Sequence, residues 1–446
     1  MKNARQTAAE ALIRVEKDGA YSNIAIDRAL EESGLDGRDR AFATTLFYGV
    51  LERRITLDFA LGRYCKTPLG QLSPAVRAIL RQAVYQIAYM DSVPPSAAVN
   101  EAVELTRALG QGRAAGFVNG VLRSFLRDGG ELCLPDRGED RAKYFSLAYS
   151  VPEPLVRMWE AQYGEEPLKP LLCAAGGRPP LYVRANSLRT DVAGLLRRWG
   201  EETGAREVQG VPCCVALERS GAVEKLSGFD EGLFHVQDLS SQLCAAALEA
   251  RPGMRVLDAC AAPGGKSFTI AQWMGGEGEL LAGDLYPAKV RRIREGALRL
   301  GLGNVKAVRQ DASRHDPELG LFDRVLCDAP CSGLGIIRRK PEIRYKPLEE
   351  LRELPGIQYK ILEASAEYVT EGGVLVYSTC TLNRRENEET VGRFLREHPE
   401  FAPEELPEWI CSFAGKKQDF QMTLFPQDCG SDGFYMARFQ RISGGR

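Results

Sequence analysis

Val256-Leu257-Asp258-Ala259-Cys260-Ala261-Ala262-Pro263-Gly264-Gly265-Lys266-Ser267 starts in a short apolar strand, Arg255 to Asp258, crosses a loop of small residues and enters a helix. Further strands follow at intervals: Glu279 to Asp284, Val305 to Asp311, Asp323 to Asp328 and Gly373 to Ser378. Helical stretches separate them, such as Pro287 to Leu300 and Leu351 to Val369. Repeated strand–helix units of these lengths predict a parallel, doubly wound α/β sheet, a Rossmann-like arrangement, from about Gln237 onward. Phe434 to Phe439 predicts a late antiparallel strand at the end of that sheet.

Upstream the periodicity changes. Ser73-Pro74 places an N-cap before a proline at the first helical position. Val76, Ile79, Leu80, Ala83, Ile87 and Met90 then recur at helical spacing, with Arg77, Arg81 and Gln82 between them. Asp91 to Pro95 stops that helix. Similar patterns predict helices at Arg5–Glu16, Arg40–Glu52, Ala97–Leu109 and Arg113–Arg127, an all-α bundle over 1–140. Gly129-Gly130 and Pro135-Asp136-Arg137-Gly138-Glu139-Asp140 read as a linker. Residues 141–236 mix helical pieces (Pro152–Gly164, Asp191–Gly200) with short strands at Leu181–Arg184 and Phe234–Val236, a small α+β module. Residues 237–446 form the third domain.

The bulk numbers narrow the function. A chain of 446 residues, 44% hydrophobic and 26% charged, reads as a globular protein of two or three domains. No long uncharged apolar run and no apolar signal core are visible, so no membrane span and a cytoplasmic location are expected. The net charge of −2 requires any nucleic-acid surface to be a local patch. The 12 cysteines include no Cys-x-x-Cys pair, and only His235, His315 and His398 are present. Both facts argue for reduced thiols and against a resident metal.

The loop Cys260 to Lys266 has two readings. Gly265-Lys266-Ser267 suggests a P-loop, but Cys260 stands where that motif needs a glycine. The G-x-G-x-x-G of nicotinamide enzymes is also missing. Gly264 and Gly265 permit close approach of a ligand, and the following helix N-terminus favours an anion. Asp284 and Asp311 end the second and third strands, at the carboxyl edge where open α/β sheets bind ligands. An acid after the second strand suits ribose hydroxyls, and one after the third suits an adenine amino group. A neutral loop with two acids favours a nucleoside without phosphates, such as S-adenosylmethionine.

The fourth strand ends in Asp328-Ala329-Pro330-Cys331-Ser332-Gly333-Leu334-Gly335 and the fifth in Tyr377-Ser378-Thr379-Cys380-Thr381. Most cysteines serve as small buried hydrophobes. Cys331 and Cys380 instead lie among turn residues past the apolar strand cores. With the Ala-Ala-Pro-Gly-Gly-Lys loop, these motifs resemble the RNA 5-methylcytosine methyltransferases. Arg338 to Ile343, Asn383 to Glu388 and Asp432 to Arg438 also match that family. Pro95 to Arg107, with Val99-Asn100-Glu101-Ala102-Val103, resembles the NusB fold.

The resemblance implies an enzyme that methylates carbon 5 of a cytosine in 16S ribosomal RNA, position 967 in the usual rRNA numbering, before full subunit assembly. It implies Cys380 as the attacking thiol, Cys331 as an aid to adduct breakdown and Asp328 at the cytosine edge and near the cofactor. Strand-end position alone does not choose between the cysteines, because DNA cytosine methyltransferases attack from a Pro-Cys motif, which would nominate Cys331. The cofactor contacts implied are Cys260, Ala261, Ala262, Pro263, Gly264, Gly265, Lys266, Asp284, Asp311 and Asp328, with no metal and a monomeric chain. Arg338, Arg339, Lys340 and Arg344 follow the Cys331 loop and are expected at RNA phosphates. Arg291, Arg292 and Arg294 form a second basic run, expected to be a solvated face. A tRNA cytosine-C5 methyltransferase with the same catalytic domain and a non-catalytic NusB-like RNA-binding factor remain alternatives.

Overall fold

The computed structural model describes residues 2–136, 138, 140–219 and 221–443. Arg137 and Glu139 of the expected linker therefore lie outside the described residues, as do residues 1 and 444–446 of the expected end domains. The chain divides into two compact units: Met1–Arg178 with Ile337–Leu348, and Pro179–Ile336 with Glu349–Arg446. This division cuts the expected module 141–236 in two.

The first unit is helical. Helices span Ala4–Asp18, Ser22–Ser33, Gly37–Glu52, Arg54–Gly62, Pro74–Tyr89, Pro95–Ala108 and Ala115–Arg127. Three more, Arg141–Tyr149, Glu153–Tyr163 and Glu165–Ala174, belong to the same unit. Ser73 caps the helix Pro74–Tyr89 by accepting from the Val76 N–H. The apolar stripe Val76, Ile79, Leu80 and Ala83 of that helix is buried, together with Leu46, Phe47, Leu122 and Phe125. Arg81 and Gln82, which fall between the apolar positions, are buried too. The Arg81 guanidinium is held by Asp58 at 2.6 Å and Glu16 at 2.9 Å, so its charge is paired where it leaves water.

Ile337–Leu348 lies in this helical unit although the chain enters and leaves it from the other. Its anchor is Arg344, 1% exposed. Arg344 Nη1 donates to the carbonyls of Glu52 and Ser150 at 3.3 and 3.2 Å, and Nη2 to those of Ala175 and Ile337 at 2.8 and 3.1 Å. Tyr345 donates to the Leu51 carbonyl at 2.6 Å, beneath the Arg54 guanidinium. Arg344 is thus removed from the expected phosphate contacts: it is a buried strut, and its two terminal nitrogens are spent on main-chain oxygens.

The second unit contains two sheets. The smaller is antiparallel, in the order β2-β3-β1-β4, with β1 Leu181–Ala185, β2 Arg206–Glu207, β3 Cys214–Leu217 and β4 Phe234–Val236. Val183, Leu195, Val215 and Phe234 fill its core, with Trp199 edge-on to Phe234. Asn186 Nδ2 donates to the carbonyl of Gly232, just before β4, and to that of Leu300, which ties the small sheet to the helix Pro287–Leu300.

The larger sheet is built from β5 Arg255–Asp258, β6 Glu279–Asp284, β7 Val305–Arg309, β8 Phe322–Asp328, β9 Val369–Thr379, β10 Phe401–Pro403, β11 Gln421–Leu424 and β12 Phe434–Arg441. Its order is β10-β12-β9-β8-β5-β6-β7, with β11 paired to β12. The run from β7 to β9 is parallel, as expected from the strand–helix repeats. β12 is antiparallel to β9, as expected, but β10 covers its outer edge over three residues. β7 stops at Arg309, so Asp311 sits in the turn beyond it. The helix Pro287–Leu300 exposes Arg291, Arg292 and Arg294, the solvated face expected of that run. Among the described residues, no helix is long and apolar enough to cross a membrane.

Replacing Arg344 by Ala should strand four carbonyls in a dry site and cost about 3 kcal/mol or more. Urea unfolding of the full chain measures this. Lys should not rescue, because an ammonium cannot reproduce the fork of donors.

Candidate active site

The sheet order reverses between β5 and β8, and the carboxyl ends of these two strands flank a crevice. The loop after β5 lines it. Gly264 caps the helix Gly265–Trp273 at φ +112°, and the place of its missing Cβ lies 2.3 Å from the Phe268 ring. No side chain fits there. The helix then aims Lys266 back across the crevice, where its Nζ donates to Asp328 Oδ2 at 2.7 Å and sits over the Phe434 ring. Burial alone would lower the Lys266 ammonium; the Asp328 carboxylate outweighs it and holds the group above its ordinary value. Asp328 Oδ1 accepts from Ser378 Oγ at 2.8 Å, its register partner on β9.

Asp258, at the end of β5, is 1% exposed. Its Oδ2 accepts from Ser267 Oγ at 2.6 Å, while Oδ1 has no hydrogen-bond partner among the described residues. Burial pushes this carboxyl up to about 7, against the pull of the Ser267 hydrogen bond. Gln237, just after β4, accepts from Thr269 through Oε1 and has a buried, unpartnered Nε2. Both residues line a pocket of about 500 Å³, counted out to open solvent, with Cys260, Ala261, Ala262, Pro263, Gly265, Lys266, Asp328, Val236, Asp238 and Ser241.

The pocket therefore brings together most of the expected cofactor loop and Asp328. Gly264 shapes the loop without lining the pocket. Asp284 and Asp311 stand outside the lining. Asp284 is buried, accepting from the Tyr286 N–H at 3.0 Å and Lys289 Nζ at 3.4 Å. Asp311 is more open; hydrogen bonds from the Ser313 hydroxyl and N–H hold its carboxyl below the ordinary value. Sequence reasoning missed Val236, Gln237, Asp238, Ser241 and Asp258 as pocket wall. The signals available were Asp258 as the acid that ends the first strand and Asp238 as the N-cap of the helix Leu239–Ala247.

The two singled-out cysteines meet. Cys331 follows β8 and Cys380 follows β9, and their sulfurs are 3.3 Å apart. Both are partly exposed. The Cys331 thiol is pushed well above its ordinary value, first by the hydrogen bond to the Cys380 sulfur, then by burial, with the Glu386 charge adding to it. Gly335 closes the arrangement. Its N–H donates to the Cys380 carbonyl at 3.0 Å, and its carbonyl accepts from the Gly433 N–H at 2.9 Å. A Cβ on Gly335 would lie 2.0 Å from the Gly433 oxygen. Gly335 thereby joins the Cys331 loop both to the Cys380 carbonyl and to Gly433. Among the described residues, no group of three or more His, Cys, Asp or Glu could hold a metal ion.

Three stretches of the chain match known families. Residues 2–127 match the NusB family, 151–224 the ferredoxin-like domain of Methyltr_RsmF/B-like proteins, and 245–440 the 16S rRNA methyltransferase RsmB/F family. The "probable ribosomal RNA small subunit methyltransferase B" of Bacillus subtilis (strain 168) is 38% identical over 450 residues, covering 98% of this chain and 99% of its own. The chain belongs to the ribosomal RNA small subunit methyltransferase B family. The family protein of Erwinia tasmaniensis is 32% identical, with 98% of each chain covered. The crystal structure of PH0851 has the same fold, with a TM-score of 0.82 and 24% identity over 99% of both chains. Methyltransferases of this family are enzymes that draw their methyl group from S-adenosylmethionine.

The pocket fits that cofactor. Asp258 Oδ1 is a buried acceptor and Gln237 Nε2 a buried donor, both without partners among the described residues, as the ammonium and carboxylate of its amino-acid end require.

Because burial raises Asp258, the folded chain holds that proton more tightly than the unfolded chain between about pH 4 and about pH 7. Its contribution to stability is present at low pH and lost as pH rises toward 7. Asp258→Asn should remove that slope, so its melting temperature varies less than the wild type's from about pH 4 to about pH 7. An unchanged slope would assign the pH dependence to other groups.

Proposed function

We propose that this chain transfers a methyl group from S-adenosylmethionine to carbon 5 of a cytosine in 16S ribosomal RNA, position 967, with Cys380 as covalent nucleophile. The observation that carries this reading is the Cys331–Cys380 sulfur contact of 3.3 Å beside Asp328, a residue of the pocket lining. Two thiols on adjacent strand ends can address adjacent ring atoms.

Carbon 5 of cytosine is a poor nucleophile. Cys380 adds as thiolate to carbon 6, which makes carbon 5 electron-rich and divides one hard step into two. When bound, the cofactor supplies an electrophilic methyl group on a sulfonium. Cys331, as a thiolate that has passed its own proton to solvent, then takes the proton from carbon 5. The C5–H pair re-forms the C5–C6 double bond, and the Cys380 sulfur leaves with the S–C6 pair. Cysteine serves because it is both a good nucleophile and a good leaving group. Asp328 accepts from the cytosine edge, oriented by Lys266 and Ser378. The target base must be unstacked, which favours a loop of the RNA over a duplex.

The residues that would hold the cofactor are Cys260 to Lys266, Asp258 and Gln237 at its amino-acid end, Asp284 at the ribose and Asp311 at the adenine. Arg338, Arg339 and Lys340 are the proposed phosphate contacts, without Arg344. The NusB-like region and the module 141–236 supply RNA affinity and target choice rather than chemistry.

Two measurements test this reading. Asp284→Ala removes a charged acceptor from ribose hydroxyls and should weaken cofactor affinity roughly 10- to 100-fold, about 1.5–3 kcal/mol, in a calorimetric titration; unchanged affinity would displace Asp284 from the site. Cys380→Ala should abolish both methyl transfer and covalent RNA attachment. Cys331→Ala should permit attack and methylation but slow release, so an RNA–protein adduct accumulates on a denaturing gel with cofactor and 16S RNA. A stable adduct with Cys380→Ala and none with Cys331→Ala would reverse the two roles.

A further inference from the structure

Glu386 is fully buried between the two cysteine loops. Its carboxylate receives four hydrogen bonds. Oε1 accepts from Ser332 Oγ at 2.6 Å and Asn383 Nδ2 at 2.9 Å; Oε2 accepts from the Ser332 N–H at 2.9 Å and Gln358 Nε2 at 2.8 Å. A carboxylate offers about four acceptor positions, so this cage is saturated. All four donors are neutral, and no Lys, Arg or His ion pair reaches Glu386 among the described residues. The negative charge is solvated by protein dipoles but not cancelled.

The cage touches the chain on both sides of Cys331. Ser332 follows it, and Gln358 Nε2 also donates to the carbonyl of Pro330, which precedes it, at 3.0 Å. The cage also reaches Cys380. Thr381 Oγ1 is 2.6 Å from Ser332 Oγ. Ser332 gives its proton to Glu386, so Thr381 must donate to Ser332. The polarity of this relay, Thr381 to Ser332 to Glu386, is set by the charge at its end. The next residue, Asn387, finishes the clamp: it accepts from Thr379 Oγ1 at 2.6 Å and donates to the Thr381 carbonyl at 2.9 Å. The residues flanking both sulfurs are thus tied into one buried network.

We propose that Glu386 is a positioning residue for both thiols: its cage locks the Cys331 loop against the Cys380 loop, and its uncancelled charge opposes a second negative charge on Cys331. The consequence is an order of events. While Cys380 carries the reactive sulfur, Cys331 stays a thiol that hydrogen-bonds to it. Once Cys380 is bonded to carbon, that thiolate partner is gone, and Glu386 with burial governs when Cys331 passes its proton to solvent and so becomes the base for the carbon-5 proton.

The charge component is tested without RNA, so its outcome is independent of which cysteine attacks. In full-length Cys380→Ala protein, the rate of Cys331 alkylation by iodoacetamide is followed against pH by peptide mass spectrometry. Adding Glu386→Gln should move the midpoint to lower pH. Adding Ser332→Ala, which keeps the charge and breaks the relay, should leave the midpoint in place. The locking component rests on the proposed adduct and is read with both cysteines present. Single-turnover release from methylated 16S RNA should slow on the order of 10- to 100-fold in both Glu386→Gln and Ser332→Ala, the scale of a misplaced reacting group. A Glu386→Gln midpoint equal to its parent's, or wild-type release in both variants, overturns the proposal. If Glu386→Gln does not fold, Ser332→Ala decides alone: wild-type release overturns it and slowed release supports it.

Discussion

The parallel pairing of β8 with β9, in the register that sets Asp328 opposite Ser378, is the constraint on which the site depends. Side chains alternate faces along a strand, so a slip of one residue would exchange the two sets. Cys327 now lies in the apolar layer with Tyr359, Leu362 and Tyr377, and Asp328 faces the crevice. The opposite register would bury a carboxylate in that layer and present a thiol to Lys266. The hydrophobic pattern of two strands, rather than any contact made by the cysteines, decides that Cys331 and Cys380 emerge side by side.

The interior around this edge is unusually polar for a sheet protein. Asp258, Lys266, Asp328, Ser378, Thr379, Glu386 and Asn387 are all wholly or mostly withdrawn from water. Charges placed there cost more than they return unless each donor and acceptor is matched. Nearly every one is matched within the fold. Among the buried atoms without a partner among the described residues, Asp258 Oδ1 and Gln237 Nε2 belong to residues that border the pocket. An unmatched group at a pocket wall is where a ligand has something to gain.

Much of this was legible in the chain. The strands β5 and β6 and the helix Pro287–Leu300 are bounded by residues with strong stop signals, and their limits follow from pattern alone. The cofactor loop, Asp328 and the two cysteines were legible as motifs. Other features were not. The helix Ser22–Ser33 turns a face of Ala25, Ile26, Ala29 and Leu30 inward but has no side-chain N-cap. The helix Arg54–Gly62 follows its predecessor after Arg53 alone, so no loop announces it. β2 has two residues, too short for an alternating pattern, and β3 begins after Cys213, a non-glycine at φ +63°. Arg344 sits in a run of basic residues that reads as a binding surface; only the carbonyls around it, all distant in sequence but one, show it to be interior. Gln237 and Glu386 gain meaning from neighbours 32 and 54 positions away, which no local pattern encodes.

The anchoring of Ile337–Leu348 in the helical unit has a consequence for synthesis. A helical domain at the start of a chain ordinarily completes itself as it leaves the ribosome. Here the last piece of the first unit is made after a stretch of the second, with its end 170 residues beyond Arg178. At ordinary elongation rates of about 5–20 residues per second, that is a wait of roughly 10–30 s. During it the carbonyls of Glu52, Ser150 and Ala175 have no guanidinium to receive them. The helical part is completed only after Pro179–Ile336 of the second unit has been made, and the segment that completes it is the one leading directly out of the Cys331 loop.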